Sequence, residues 1–226
     1  MTKSNSYMME TNYLVHDRQY QEARAKGWDG WGGNERMAQE QIWIERLFSY
    51  AALPETGQVL ELGCGEGHYA RLLAQKGYRV TGVDISPTAI QWAKEKTAVS
   101  GHVIEYLEMD LAKPGVLPGR YFDLIVDGNC FHCIIGSDRR NFLDNVHRLL
   151  KDNGVFFLST LCSDADDVEV VEFEGKPYRA VPGQRWLHKE LEAAGFAVKQ
   201  FAYHFGNGRL HNHCTAHLVK QGVGPT

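Results

Sequence analysis

Three glycines at alternate positions, Gly63, Gly65 and Gly67, follow the apolar run Val59-Leu60-Glu61-Leu62. A second apolar run, Tyr78 to Val83, ends on an acid, Asp84, 21 residues after Gly63. Glycine lets a backbone turn tightly and come close to a ligand, and an acid closing the next strand can accept hydrogen bonds from ribose hydroxyls. A dinucleotide site of this kind needs Gly-x-Gly-x-x-Gly, and its third glycine position is occupied here by His68. Glu61, two residues before the first glycine, adds a carboxylate. That charge is unfavourable beside a diphosphate and acceptable beside an ammonium or sulfonium.

These residues need a frame that gathers strand ends at one edge, and the pattern supplies one. Strands are expected at Val59–Leu62, Tyr78–Val83, Val103–Glu108, Phe122–Val126 and Val155–Ser159, with the helices His68–Lys76, Ser86–Ala98 and Asp138–Leu150 between them. Ser86 suits an N-cap and Pro87 the first helical position, Gly77 a helix stop, and Asn153-Gly154 a turn. Alternating strands and helices imply a mostly parallel sheet covered on both faces. After a helix at Gln184–Ala194, Phe196–His204 and Cys214–Val219 follow one another without a helix, so the last strand should run antiparallel. The expected fold is therefore α/β, a Rossmann-like, doubly wound, seven-stranded sheet. Two N-terminal helices, Val15–Lys26 and Glu35–Tyr50, precede it, and Glu169–Pro182 reads as an excursion.

At 226 residues one domain is expected, with 1–50 a helical lid or acceptor segment and 51–226 the core. The net charge of −4 argues against a general grip on nucleic acid. No run approaches the roughly 20 apolar residues that span a bilayer, and Met1–Glu10 lacks the apolar stretch of a signal peptide. Five cysteines, Cys64, Cys130, Cys133, Cys162 and Cys214, are odd in number and irregularly spaced. They point to a reduced, cytoplasmic setting.

Glu61-x-Gly63-x-Gly65-x-Gly67 resembles the first motif of the class I S-adenosylmethionine-dependent methyltransferases. Val80-Thr81-Gly82-Val83-Asp84-Ile85-Ser86 is similar to their second-strand motif, and Glu108-Met109-Asp110 to their third-strand end. Phe122–Asp127 and Asn153-Gly154-Val155-Phe156-Phe157 resemble the fourth- and fifth-strand motifs. The resemblance covers about Val59 to Phe201 and implies S-adenosylmethionine as donor, with S-adenosylhomocysteine as product. It also implies that Gly63 and Gly65 contact the methionine part, Glu61 organises its surroundings and Asp84 holds the ribose hydroxyls. Asp110 would bond the adenine amino group, with Met109 and Ile85 on the two faces of the ring.

The acceptor should lie over the carboxyl ends of the strands. There Asp127-Gly128-Asn129-Cys130-Phe131-His132-Cys133 follows the fourth strand. Asp127 and Asn129 are expected at the methionine amino group, and His132 is a candidate base, with Asp127 beside it in the catalytic set. Trp28 and Trp31, among four glycines, could form a lid whose indole faces attract a sulfonium. His204 could line the acceptor pocket, Tyr20 and Arg36 are weaker candidates, and Tyr178, Arg179 and Arg185 could meet an anionic group or simply be solvated.

The expected acceptor is a small molecule with an oxygen, nitrogen or sulfur nucleophile. Two other readings stay open. A non-catalytic S-adenosylmethionine sensor would use the same loop. A metal- or metalloid-handling protein would use Cys130 and Cys133 with the dense C-terminal group His211, His213, Cys214 and His217. Packed thiols and no metal ligands are the expectation, because the Cys-x-x-Cys has no second pair.

Overall fold

A computed structural model describes residues 13–33, 40–205 and 211–222. The N-terminal helices are α1 (Val15–Ala25) and α2 (Glu40–Leu47). The front part of the expected Glu35–Tyr50 helix, with Arg36, lies outside the described residues. Then follow β1 (Gln58–Leu62), α3 (His68–Gln75), β2 (Arg79–Asp84), α4 (Pro87–Ala98), β3 (Glu105–Glu108) and β4 (Phe122–Asp127). A short 3-10 turn at Phe131–Cys133 leads to α5 (Asp138–Leu149), β5 (Leu150–Cys162), β6 (Val168–Phe173) and β7 (Lys176–Pro182). The chain closes with α6 (Gln184–Ala193), β8 (Phe196–His204) and β9 (Asn212–Lys220).

The seven-stranded sheet has the order β3-β2-β1-β4-β5-β9-β8. Strands β1 to β5 pair in parallel, and β9 inserts antiparallel to both β5 and β8. The order reverses between β1 and β4, where Leu62 lies beside Asp127. Crevices at the carboxyl ends of such a reversal are where open α/β sheets take ligands.

Neighbouring residues along a strand face opposite ways, and the core divides accordingly. Leu60, Ile125, Phe156 and Leu158 pack with Phe142 and Leu149 of α5 and Leu187 of α6. Val59, Leu124, Val126 and Phe157 pack on the other face with Trp43, Leu47, Leu73 and Ile90. Burial on both faces explains why β1 and β4 read as near-continuous apolar runs.

Two expectations change in detail. Asn153-Gly154 is not a separate turn: β5 already begins at Leu150, with exposed Lys151 to Asn153 where its register against β4 shifts. The Glu169–Pro182 excursion is an antiparallel hairpin, β6 with β7, outside the main sheet. Its turn residues Glu174 and Gly175 both have positive φ, 52° and 73°. That is the backbone of the tight turn whose twist suits a hairpin.

Candidate active site

Gly63 and Gly65 take left-handed φ values of 66° and 55°. A Cβ on Gly63 would lie 2.4 Å from Cys130 Cβ, and one on Gly65 2.6 Å from the Tyr20 hydroxyl. No side chain fits either place. The loop is tied to β2 by Cys64 N–H donating to Val83 O at 2.9 Å. The Asp84 carboxylate holds the two sides together. Its Oδ2 accepts from Gly65 N and its Oδ1 from Ser86 N, each at 2.9 Å. Ser86 caps α4 by accepting from Ala89 N. With the backbone N–H groups of Gly65, Ser86 and Ile85 directed at it, the Asp84 carboxylate keeps acceptor capacity for a further donor, and burial pushes its carboxyl up to about 6.

Above this edge lies a cleft of about 790 Å³, open mouth included. Gly63, Asp84, Ile85, Met109, Asp110, Asn129 and His132 line one side of it; Tyr13, His16, Tyr20 and Trp31 from the N-terminal segment and Arg179 from β7 also line it. A smaller chamber of about 440 Å³ adjoins it, lined by Glu61, Gly65, Glu66, His68 and Tyr69. Tyr20, Trp31, Gly63 and Gly128 belong to both. Glu61 Oε2 and Glu66 Oε1 are buried and accept no hydrogen bond among the described residues. Burial, and then Glu66, raise the Glu61 carboxyl well above the usual carboxylate range. A cationic group in this chamber would supply the missing donors and favour the ionised acid. The ligand implied by the resemblance fits on these grounds. Its ammonium suits the orphaned acids, its ribose the spare lone pairs of Asp84, and its adenine the Ile85, Met109 and Asp110 wall.

The acceptor side differs from expectation in three places. Asp127 is fully buried and lines neither chamber. Its Oδ1 accepts from Cys130 N at 2.8 Å and Phe131 N at 3.2 Å. It therefore braces the turn that carries His132. Trp28 lies at the surface under Lys26, whose Nζ is 4.8 Å from the ring, and lines neither chamber. His204 also lies outside them, within hydrogen-bonding distance of Thr215 Oγ1 at 3.1 Å. Trp31, Asn129 and His132 do face the cleft. Asn129 holds a φ of 70°, and its Oδ1 is 2.9 Å from His213 Nε2.

Cys130 and Cys133 line the cleft, and neither forms a disulfide. The C-terminal histidines are spread among separate partners. His211 lies 3.4 Å from Glu169, His213 meets Asn129, and His217 is buried at 2.8 Å from Leu47 O. Among the described residues no group of three or more His, Cys, Asp or Glu could hold a metal. Residues 206–210, which follow Phe205, lie outside them.

Tyr13 and His16 line the cleft although nothing in the sequence singled them out. The one signal available was helical spacing, since His16 and Tyr20 are four apart on α1 and share a face. Helix α1 is fixed against the sheet by Asp17, whose Oδ1 accepts from Ser86 Oγ at 2.6 Å and Thr88 N at 2.9 Å. At its start, Tyr13 donates to Asp138 Oδ2 at 2.8 Å.

A methyltransferase-domain family model matches residues 60–158. An uncharacterized methyltransferase of Schizosaccharomyces pombe is 33% identical over 100 residues, 44% of this chain and 68% of that one. Among solved structures, an S-adenosylmethionine-dependent methyltransferase from Clostridium acetobutylicum superposes with a TM-score of 0.61 at 17% identity, covering 81% of this chain and 89% of that one. A glycopeptide N-methyltransferase complexed with sinefungin gives 0.64 at 18% identity, with 78% and 92% covered. At such identities the likeness to the two structures is one of fold. Among the described residues no helix is long and apolar enough to cross a membrane.

Proposed function

The chain belongs to the class I S-adenosylmethionine-dependent methyltransferase family, and on that footing we propose that it methylates a small-molecule acceptor held in the cleft beside His132. The observation that carries this reading is Asp84, whose carboxylate joins the glycine loop to the start of α4 and keeps acceptor capacity for a ribose hydroxyl. Glu61 and Glu66 would take the ammonium of S-adenosylmethionine, and Ile85, Met109 and Asp110 its adenine. When bound, S-adenosylmethionine supplies a methyl group on a cationic sulfur, which the acceptor's lone pair displaces while the sulfur keeps the bonding electrons.

The chain's own contribution is alignment and exclusion of water. Aromatic side chains from α1 and Trp31 flank the cleft, which a small acceptor would share with the donor. His132 sits on a turn braced by Asp127 and lines the cleft at 3% exposure. Imidazole is the side-chain type that exchanges protons near neutrality, so His132 would accept the proton released by a hydroxyl, amine or thiol. Asn129, held by His213, would orient ligand atoms beside it.

The test is release of S-adenosylhomocysteine across a panel of thiols, amines, phenols and carboxylates. His132→Ala is expected to cut turnover about 100-fold or more while donor affinity stays within about twofold. Normal turnover in that variant would remove His132 from the catalytic role. Donor binding without turnover of any acceptor would leave the family fold serving as a sensor.

A further inference from the structure

We propose that the acceptor carries a carboxylate, and that Arg179 of the β6–β7 hairpin holds it; this rests on the methyltransferase reading above. Of the described residues lining the cleft, Arg179 is the one with a permanent positive charge. Its Nε is buried and makes no hydrogen bond among the described residues. Other arginines nearby in the chain do find acids: Arg139 meets Glu190 at 2.7 Å and Arg185 meets Asp166 at 3.5 Å. Arg179 instead lies with its guanidinium 4.9 Å from the centre of the Tyr178 ring.

Its other neighbour offers no anion either. His16 makes tilted ring contacts with Trp31 and Tyr178, whose ring centres are 5.5 and 5.1 Å away. Burial first, and the Arg179 charge second, push its imidazole down to about 4, so it is neutral at pH 7. A cation with a buried, unmatched donor among aromatic rings carries an unrecovered solvation cost. An incoming carboxylate recovers it, because the guanidinium fork matches two carboxylate oxygens. A single guanidinium suits a monoanion; phosphate dianions are more often met by clusters of arginines.

Arg179 lines the cleft and not the smaller chamber of Glu61, Gly65 and Glu66, where the donor's ammonium would lie. Asp84 and Asp110 line the same cleft and repel an anion, and Trp31, Tyr20 and Ile134 among its walls suit a flat or apolar body. Two contacts with α1 keep the hairpin in place. Tyr178 donates to Gln19 Oε1 at 2.9 Å, and Arg18 pairs with Glu174 at 2.9 Å.

The test uses the full chain saturated with S-adenosylhomocysteine, titrated calorimetrically with 4-hydroxybenzoate, salicylate and indole-3-acetate and with the methyl ester of each. At least one acid should bind about tenfold or more tightly than its own ester. Arg179→Leu should erase that difference, Arg179→Lys should keep part of it, and S-adenosylhomocysteine should bind all three proteins alike, which also reports that they are folded. Equal binding of acids and esters, binding of neither, or an acid preference surviving in Arg179→Leu would overturn the proposal. So would a tenfold loss of S-adenosylhomocysteine affinity in Arg179→Leu, about 1.4 kcal/mol, since the guanidinium would then serve the donor's carboxylate. A wild-type chain that binds neither S-adenosylmethionine nor its product would defeat the methyltransferase reading itself, a result distinct from the others.

Discussion

An Asp84→Ala protein should bind S-adenosylmethionine about 100-fold more weakly than the wild type, since hydrogen bonds to a charged group contribute about 1.5–3 kcal/mol each and tenfold is about 1.4 kcal/mol. The loss has two sources. The ribose loses its acceptor, and Gly65 N and Ser86 N lose the carboxylate that fixes the loop against α4. Calorimetry checks it, and an unchanged affinity would show that the donor lies elsewhere. The pH profile gives a second reading. Burial raises Asp84 from its ordinary 3.8 to about 6, and the ionised form is the better acceptor for hydroxyls. Donor affinity should therefore fall as pH drops through about 6 and level off above it. Asp84→Asn should flatten that dependence. The unliganded fold responds with the opposite sign, because the folded state binds this proton more tightly than the unfolded chain. That contribution to stability is present at low pH and is lost as pH rises through about 6.

Arg139→Ala should destabilise the protein by about 3–5 kcal/mol, the range for removing one partner of a buried ion pair. The Arg139 side chain is 4% exposed and that of Glu190 12%. Its Nε and Nη2 donate to the two Glu190 oxygens at 2.7 Å, and Nη1 donates to the carbonyls of Phe131 and Ile134 at 3.2 and 3.3 Å. The guanidinium also lies 3.9 Å from the centre of the Phe131 ring. Alanine would strand the Glu190 charge and take from the Ile134 carbonyl its Arg139 donor, while Phe131 O keeps Ile134 N at 3.1 Å, so turnover should fall along with stability. Urea denaturation measures the first effect. A midpoint equal to wild type would mean that the pair contributes nothing, whereas Arg139→Met with Glu190→Leu should recover much of the loss.

The candidate donor side was legible as a cluster because its residues are local in sequence. Glu61 to Gly67, Asp84-Ile85 and Met109-Asp110 each sit at the end of one strand, and strand order alone brings them together. Ser86 and Pro87 mark the start of α4 as their types require. The acceptor side depends on contacts that no local pattern encodes. Tyr178 meets Gln19 across 159 positions, and that meeting helps bring Arg179 to the cleft. Asp127 shows the limit, because the residue ending β4 could face inward or toward ligand. Its pairing beside Leu62 places it inside, under the turn it braces. The β6–β7 hairpin was hidden by Val170-Val171, which breaks the alternation of Val168 to Phe173, and by the exposure of most of β6. The Glu174-Gly175 turn was the signal that would have revealed it.

On the proposed reading, the sharing of Tyr20 and Trp31 between the two chambers predicts an order of events in a catalytic cycle. Tyr20 stands over Gly65, closer than a Cβ there would allow, and the helix that carries it is fastened to Ser86 and Thr88 through Asp17. The walls of the acceptor space are thus the cover of the donor loop. A donor arriving after the acceptor would find its entrance blocked, and a spent donor has to wait for the methylated product to leave. Steady-state kinetics should accordingly show compulsory order, with S-adenosylhomocysteine competitive against S-adenosylmethionine and noncompetitive against the acceptor. Random order would mean that α1 opens independently of what lies beneath it.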